Sequence, residues 1–225
     1  MMVSGRQEMT LHASCPVQHP SDSPKPMCKT NRSGKATLLT KQQLEVFLAN
    51  LPIKYSLLAE LMYFTAGRVN EITTLRVRNI NIKDALLTIE KASTKTKETR
   101  QIPLPKHLLG NLESWIKTNM LDADDFIFFT DSRNTNVKKG EKSISTQSVD
   151  KYFRKTFDWV GINGASTHSF RRTRLTQLHI DEGWSLREIM DISGHSSIVS
   201  LQQYLDTDKK QTFSKYRELL EKEDA

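Results

Sequence analysis

The chain has 225 residues, with 33 Lys and Arg against 26 Asp and Glu, a net charge of +7 and a pI near 9.4. The length suffices for one full core, and the basic balance favours a polyanionic partner such as nucleic acid. No apolar run approaches the roughly 18 residues of a membrane span. The N-terminus has no signal-peptide core, so the sequence predicts a cytoplasmic protein without a membrane partner. Two cysteines are too few for a disulfide scaffold.

Residues 1–36 are rich in proline and lack apolar periodicity, which predicts a flexible, basic N-terminal arm. The folded domain is therefore predicted to cover residues 37–225. The arm contains four residues of metal-ligating types: His12, Cys15, His19 and Cys28. Their spacing matches no closed zinc site, and four prolines intervene, so no metal site is predicted.

The first predicted helix begins after Thr40, which forms a capping box with Gln43, and Pro52 ends it. Its apolar stripe consists of Leu44, Phe47, Leu48 and Leu51. The next helix, KYSLLAELMYFTAG, is apolar nearly all round, which predicts a central position in the core. Gly67 breaks this helix, and RVNEITTL starts another helical turn.

The segments NINIKDALLTIEK and TRQIPLP predict a small antiparallel sheet whose last two strands are joined by the hairpin loop ASTKTKE. A helix at 106–118 follows, then a short strand, FIFF, and a polar loop. Further helices are predicted at about 147–160, 169–182, 186–192, 197–205 and 212–222, with a second capping box formed by Ser185 and Glu188. The predicted fold class is mainly α with a small antiparallel β-sheet, that is, α+β.

Four polar islands interrupt segments that otherwise look buried. The side chains they contribute are Arg68 with Glu71, Lys95 with Lys97, His168 with Arg171, and His195 with Tyr204 nine residues later. Three of the islands also have an ordinary interpretation: a structural ion pair for Arg68, solvated loop lysines, and a half-buried tyrosine. The pair of His168 and Arg171 is uncommon as a structural device, because two cations side by side repel each other. Two adjacent cations on one helix face are favourable only when an anion lies between them.

The islands include no carboxylate cluster of the kind that holds Mg²⁺ in metal-dependent nucleases. The chain also has no Gly-x-Ser-x-Gly motif, and neither cysteine lies in the predicted folded part. Fixed guanidinium groups would have to neutralise a phosphate instead. This pattern suits a protein nucleophile that attacks a phosphodiester without a metal or another cofactor.

The order Arg, Lys, His-x-x-Arg, His and Tyr resembles the tyrosine recombinases, the phage integrase family, over about residues 38–222. TAGRVNEITTLRVRNI resembles the first arginine box, and STKTKETRQIPLP resembles the β-hairpin lysine segment. THSFRRT resembles the His-x-x-Arg box, and ISGHSSIVSLQQYLDTD resembles the terminal box, with the usual nine-residue step to the tyrosine. The resemblance implies a site-specific DNA recombinase of prokaryotic, nucleoid-associated location.

In the chemistry that the resemblance implies, Tyr204 attacks the scissile phosphate and forms a 3′-phosphotyrosyl link, leaving a free 5′-hydroxyl. Arg68 and Arg171 bind the non-bridging oxygens, and their hold tightens as charge builds in the transition state. His195 donates a further hydrogen bond to the same phosphate.

The resemblance assigns the proton transfers to other side chains. His168 assists proton removal from Tyr204 or orients the phosphate. Lys95 is the general acid for the leaving 5′-oxygen, with Lys97 as the alternative. Glu71 matches a family carboxylate that supports the first arginine.

Three local features depart from the family pattern. Arg172 stands where a histidine often follows the arginine, and Ser193 stands where leucine is usual. The separation between Arg171 and His195 is about one residue longer than in Xer recombinases. A larger departure is that only a short arm precedes the catalytic domain, where the family usually has a helical core-binding domain of about a hundred residues. We therefore expect a minimal or shortened recombinase, or an accessory factor that supplies the clamp.

The partners that the resemblance implies are double-stranded DNA and other copies of the chain. The free protein is expected to be a monomer or a weak oligomer. On synapsed DNA it is expected to form a homo-tetramer. The amphipathic tail, residues 206–225, either packs on its own domain or docks on a neighbouring protomer. Two other functions stay open: a DNA-binding accessory protein with little activity, and a type IB topoisomerase-like relaxation of supercoils.

Overall fold

The computed structural model describes residues 35–90, 99–130, 138–205 and 209–223. The predicted arm lies outside the described residues except for its last two, and so does the hairpin loop with Lys95 and Lys97. In the described part, helices predominate over one small antiparallel sheet, which confirms the predicted fold class. The described helices include none that is both long and apolar enough to cross a membrane.

The first three helices are α1 (Lys41–Ala49), α2 (Ile53–Phe64) and α3 (Val69–Thr73). The predicted capping box before α1 is confirmed. The Gln43 N–H donates to Thr40 Oγ1 at 3.1 Å, and the Thr40 N–H donates to Gln43 Oε1 at 3.0 Å. Helix α2 is central, as predicted, because Leu57, Leu58, Ala59 and Leu61 are completely buried.

The described part of the sheet has three strands: β1 (Ile80–Asn81), β2 (Leu86–Ile89) and β3 (Arg100–Pro103). They are antiparallel in the order β1-β2-β3. Leu87 pairs with Ile102, and Ile89 pairs with Arg100, and all four residues are buried. Arg100 therefore lies on the core face of the sheet, in a row of apolar side chains.

The predicted strand at residues 126–129 is wrong. Phe126 and Phe129 form isolated bridges with Arg76 and Ser143 respectively, rather than a ladder. The first bridge cannot extend because the chain enters a 3-10 turn, Val77–Asn79, directly after Arg76. Ile127, Phe128 and Phe129 are nevertheless buried, so apolar composition was a sign of burial here and not of a strand.

The second half of the chain is helical. Its helices are α4 (Lys106–Asn119), α5 (Thr146–Trp159), α6 (Thr167–Ile180), α7 (Leu186–Ser193), α8 (Ile198–Gln202) and α9 (Lys209–Glu223). All six predicted helices are confirmed, with shifted boundaries. Helix α8 ends before the predicted residue 205, so Tyr204 lies in the turn after the helix and not within it.

The apolar side chains form two clusters. The larger one contains four phenylalanine rings, in stacked, tilted and edge-to-face pairs, that join α1, α5 and α6: Phe47, Phe153, Phe157 and Phe170. The smaller one consists of Ala66, Leu175, Leu178, Ile189, Leu201 and Leu205. Tyr204 packs against this second cluster. The cluster therefore fixes α7 and α8 on α6 and places Tyr204 beside that helix.

Candidate active site

A tight turn between α2 and α3 positions Arg68. Ala66 adopts a left-handed conformation with φ 47°, which is unusual for a residue with a Cβ. A Cβ on Gly67 would lie 2.8 Å from both Ile72 Cδ1 and Thr65 Oγ1, so only glycine fits between the two helices. The turn places Arg68 at the start of α3, where its side chain is 22% exposed.

Glu71 joins the start of α3 to strand β3. Its buried carboxylate accepts hydrogen bonds from the Arg68 N–H at 3.0 Å, from Arg68 Nη1 at 2.9 Å and from Arg100 Nη2 at 2.6 Å. Burial alone would raise the pKa of Glu71. The hydrogen bond and charge of Arg100, the Arg68 N–H and the charge of Arg171 outweigh burial and lower it. Glu71 is therefore ionised at neutral pH and holds the Arg68 guanidinium in place.

Arg100 is a residue that the sequence analysis missed. Its side chain is 7% exposed and pairs with Glu71 on one side. On the other side it packs under Gly194, where a Cβ would come within 2.8 Å of Arg100 Nη1. A signal was available, because Arg100 lies two residues from Ile102 along a strand. Residues two apart point to the same face of a sheet, which here is the buried one. A buried arginine in such a row needs a carboxylate, and Glu71 supplies it.

Arg171 lies at the centre of the site and is almost completely buried. It donates to the carbonyl oxygen of Ala66 and, through Nη2, to that of Ser193 at 3.0 Å. Burial lowers the pKa of Arg171, as do the charges of Arg68 and Arg100, while the charge of Glu71 partly offsets them. Two backbone carbonyl oxygens thus fix this guanidinium in position, although the positive charges of Arg68 and Arg100 act on it.

His195 follows the left-handed cap at Gly194, which ends α7. Its ring nitrogens lie 3.0 and 3.2 Å from Arg171 Nη2, and its Nδ1 lies 2.7 Å from Ser193 Oγ. Burial lowers the pKa of His195 to about 3, assisted by the charges of Arg171, Arg68 and Arg100. The imidazole is therefore neutral at physiological pH and carries a single N–H.

His168 lies in the first turn of α6, and its side chain is exposed. Partial loss of hydration lowers the pKa of His168, and the charges of Arg171 and Arg68 lower it further. A neutral imidazole at neutral pH can accept a proton, which is what a general base requires. Its ring centroid lies 6.4 Å from that of Tyr204.

Tyr204 is half-buried and lies beside two of the other predicted site residues. Its ring centroid is 5.2 Å from that of His195 and 5.4 Å from Arg171 Cζ. Thr176 on α6 donates from its hydroxyl to the Tyr204 carbonyl at 3.4 Å, which ties the turn to the helix. The second apolar cluster and this bond keep the tyrosine next to the buried guanidinium.

The structure brings together five of the six predicted catalytic side chains: Arg68, His168, Arg171, His195 and Tyr204. The sixth, Lys95, and its alternative Lys97 lie outside the described residues. Arg172, which departs from the family pattern, donates to the Ala36 carbonyl. It ties the start of the folded domain to α6.

Among the described guanidinium and carboxylate groups that contact one another in the site, the charges do not balance. Arg68, Arg100 and Arg171 contribute three positive charges, and Glu71 contributes one negative charge, so two positive charges remain. Over the described ranges, no group of three or more His, Cys, Asp or Glu side chains is placed to hold a metal ion. Buried guanidinium groups with surplus positive charge bind a phosphate or another oxyanion favourably.

The described fold is that of tyrosine recombinase catalytic domains. A sequence model of the phage integrase family matches residues 37–211, and the chain therefore belongs to that family.

The similar curated proteins include the tyrosine recombinase XerA of Pyrococcus furiosus, which is 27% identical over 169 residues. That match covers 74% of this chain and 56% of the relative. The tyrosine recombinase of Pseudothermotoga lettingae is 28% identical over 166 residues, which cover 73% of this chain and 54% of the relative. The chain thus spans about half the length of the curated relatives it matches.

Solved structures share the fold. The crystal structure of XerA recombinase has a TM-score of 0.67 at 18% identity, covering 81% of this chain and 64% of the other. The Tn1549 transposon integrase in complex with a circular intermediate DNA has a TM-score of 0.65 at 15% identity, covering 84% and 68%. XerH bound to its difH substrate has a TM-score of 0.59 at 19% identity, covering 80% and 53%.

Proposed function

We propose that this chain is the catalytic domain of a site-specific DNA recombinase. It cleaves and rejoins DNA strands through a 3′-phosphotyrosyl intermediate, in integration, excision or resolution. One observation carries the proposal. The half-buried ring of Tyr204 lies beside the buried guanidinium of Arg171 and the neutral imidazole of His195. The described arginines around it carry more positive charge than Glu71 neutralises. Membership of the phage integrase family supports the same reaction.

In the proposed cleavage step, Tyr204 Oη forms a bond to phosphorus and the bond to the 5′-oxygen breaks. His168 accepts the tyrosine proton, and its lowered pKa supports this role because the ring is neutral beforehand. Lys95, or Lys97 in its place, gives a proton to the leaving 5′-oxygen. One phosphodiester bond is exchanged for another, so religation needs no nucleotide cofactor.

Arg68 and Arg171 bind the two non-bridging oxygens in this proposal. Both guanidiniums are fixed before the substrate arrives, Arg68 by Glu71 and Arg171 by backbone carbonyls. Donors held in this way need little reorganisation as charge builds on the pentacoordinate phosphorus. We propose that these fixed cations take the place of a metal ion, so that the reaction is metal-independent.

We further propose that the protein acts on double-stranded DNA in the cytoplasm of a prokaryote, at the nucleoid, as a homo-tetramer on synapsed sites. In the described part of α9, the apolar side chains Phe213, Tyr216, Leu219 and Leu220 are 69, 59, 50 and 41% exposed. Their exposure supports docking of the tail on a neighbouring protomer, rather than packing on its own domain. An accessory factor would supply additional DNA contacts.

The test of the proposed reaction is covalent capture on nicked duplexes with a randomised core sequence. The wild-type chain is expected to form an adduct that survives SDS, and mass spectrometry should place the DNA on Tyr204. The variant Tyr204→Phe should form none, because it lacks the nucleophilic oxygen. Tyr216→Phe, at an exposed tyrosine of α9, is the matched control and should react like the wild type.

Three results would contradict the proposal. An adduct that persists in Tyr204→Phe would place the nucleophile elsewhere. DNA binding without any adduct from the wild type would favour an accessory DNA-binding protein. Relaxation of supercoiled plasmid without exchange between two DNA molecules would favour type IB topoisomerase-like activity.

A further inference from the structure

Ser193 is the last residue of α7, and its side chain is completely buried. It occupies the position where the family usually has leucine, so its hydroxyl is a feature of this chain. The left-handed cap at Gly194, with φ 65°, turns the chain between Ser193 and His195. The turn brings Ser193 Oγ to 2.7 Å from His195 Nδ1. This hydrogen bond lies directly behind the predicted phosphate site.

The direction of this hydrogen bond follows from burial. Among the residues that the structure describes, the Ser193 hydroxyl has no hydrogen-bond partner other than His195 Nδ1. If Nδ1 carried the proton and donated to Oγ, the hydroxyl hydrogen would be buried without an acceptor, which costs stability. Donation from the hydroxyl to Nδ1 satisfies both atoms. The neutral ring then carries its proton on Nε2.

The tautomer decides what His195 binds. Arg171 Nη2 lies 3.0 Å from His195 Nε2, nearer than the 3.2 Å to Nδ1, and it can only donate. With Nδ1 protonated, Arg171 would donate to Nε2, and His195 would offer the phosphate no hydrogen. With Nε2 protonated, Arg171 and His195 are neighbouring donors, and an anionic oxygen can accept from both.

We propose that Ser193 is a positioning residue that fixes the Nε2–H tautomer of His195 and so makes it a hydrogen-bond donor to the phosphate. The tautomer itself is a property of the free protein. Only the contact with phosphate rests on the proposed recombinase function. The low pKa of His195 agrees with a neutral ring across the physiological range.

The test begins with the protonation state of the ring in the full-length protein without DNA. Long-range proton–nitrogen NMR correlation distinguishes the two neutral tautomers, and the variant His195→Gln identifies the signals. The wild type should show the Nε2–H form. Ser193→Ala should shift the population towards the Nδ1–H form, because Arg171 then becomes the donor to Nε2. An Nδ1–H form in the wild type, or an unchanged tautomer in Ser193→Ala, would overturn the proposal.

Thr156→Val is the matched control for loss of a buried helical hydroxyl. Thr156 Oγ1 donates to the carbonyl of Tyr152 within α5, at 3.2 Å. This variant should leave the tautomer of His195 unchanged. A change of the same size as in Ser193→Ala would mean that general loosening of the fold, and not the Ser193 hydroxyl, sets the tautomer.

Single-turnover cleavage of the nicked duplex then tests the consequence for catalysis. Ser193→Ala should react about tenfold more slowly, which corresponds to one hydrogen bond. Its affinity for DNA, measured with Tyr204→Phe as the common background, should change less than about twofold. Equal loss of affinity and rate would indicate a merely structural role. An Nε2–H tautomer in a wild type that never forms an adduct would refute the recombinase function and leave the tautomer assignment intact.

Discussion

At the scale of single residues, the arginines of the site are held in position by a carboxylate, a glycine and backbone carbonyls. Glu71 accepts hydrogen bonds from both Arg68 and Arg100, and Gly194 leaves room for the Arg100 guanidinium. Arg171 is bound by carbonyls from the turn before α3 and from the end of α7. The Arg171 contacts join the segment of Arg68 to that of His195, and the pair of Glu71 with Arg100 attaches α3 to β3. Changes at Glu71 or Gly194 should therefore affect stability and cleavage together.

The variant Glu71→Gln should remove part of the acid sensitivity of the fold. The pKa of Glu71 is lowered from its ordinary value of 4.5, so the ionised carboxylate stabilises the folded chain fully above that value. This stabilisation is lost as the pH falls through the lower pKa of the folded state. Urea unfolding from about pH 7 to about pH 3 should show a steeper acid loss in the wild type than in Glu71→Gln.

Glu60→Gln is the control, because the pKa of Glu60 is shifted in the opposite direction from that of Glu71. Burial raises the pKa of Glu60, although the His107 charge and the Ser56 hydroxyl lower it in part. The protonated form is therefore favoured in the folded chain, and the stability that it contributes is lost as the pH rises through the raised pKa. Equal acid slopes for the wild type and Glu71→Gln would show that the Glu71 carboxylate is not stabilised as described.

The variant Gly194→Ala should destabilise the fold and slow cleavage. Its left-handed backbone disfavours any Cβ, and the new methyl group would lie 2.8 Å from Arg100 Nη1. We expect a loss of about 2–3 kcal/mol in the free energy of unfolding, measured with urea. Gly161→Ala is the matched control, because Gly161 has a similar left-handed backbone, with φ +73°. A Cβ added there would meet nothing within 4 Å.

Gly161→Ala should therefore cost only about 1 kcal/mol, through backbone strain alone, and leave cleavage unchanged. Equal losses in the two glycine variants would mean that the contact with Arg100 contributes little.

At the scale of elements, the larger apolar cluster forms the main core, and the smaller one positions the segment that carries Tyr204. The phenylalanine cluster joins α1, α5 and α6 into a core. The smaller cluster attaches α7 and α8 and packs against Tyr204. Helix α9 differs from both, because its described apolar side chains are exposed. The tail should therefore matter for association rather than for the stability of the domain.

Truncation after Leu205 tests this role of α9. The free energy of unfolding should change by less than about 0.5 kcal/mol, because exposed side chains stabilise their own domain little. Association of protomers on a DNA duplex, measured by sedimentation, should fall. A full-length variant with Phe213→Ser and Leu220→Ser should reproduce this loss, whereas Glu218→Gln should not. Strong destabilisation by truncation would instead show that α9 packs on its own domain.

At the scale of the whole molecule, the net charge of +7 and the surplus cations of the site should govern binding to DNA. Affinity for a labelled duplex should fall roughly a hundredfold between about 50 and about 200 mM salt, because bound phosphates release counterions. Arg68→Met should reduce the slope of the log–log plot by about one. Fluorescence anisotropy measures both. An affinity independent of salt would count against a phosphate-binding surface.

Much of the fold could be predicted because its signals are local. The capping boxes at Thr40 and Ser185 and the apolar periodicity of the helices depend on residues three or four apart. Residues 126–129 defeated the same reasoning, since burial alone does not distinguish a strand from an irregular buried segment. The end of α8 was also misplaced, so Tyr204 was expected within a helix rather than after it.

The sequence by itself determined the candidate side chains, because their order and spacing in four segments are visible without a structure. Only the tertiary structure decided how those side chains are held. The Glu71 pair with Arg100 spans 29 residues, and the Arg171 bond to the Ala66 carbonyl spans 105. The bond between Ser193 and His195 is close in sequence but depends on the left-handed turn at Gly194. Pattern and spacing report the periodicity of a single element, whereas contacts between elements are set by how the elements pack.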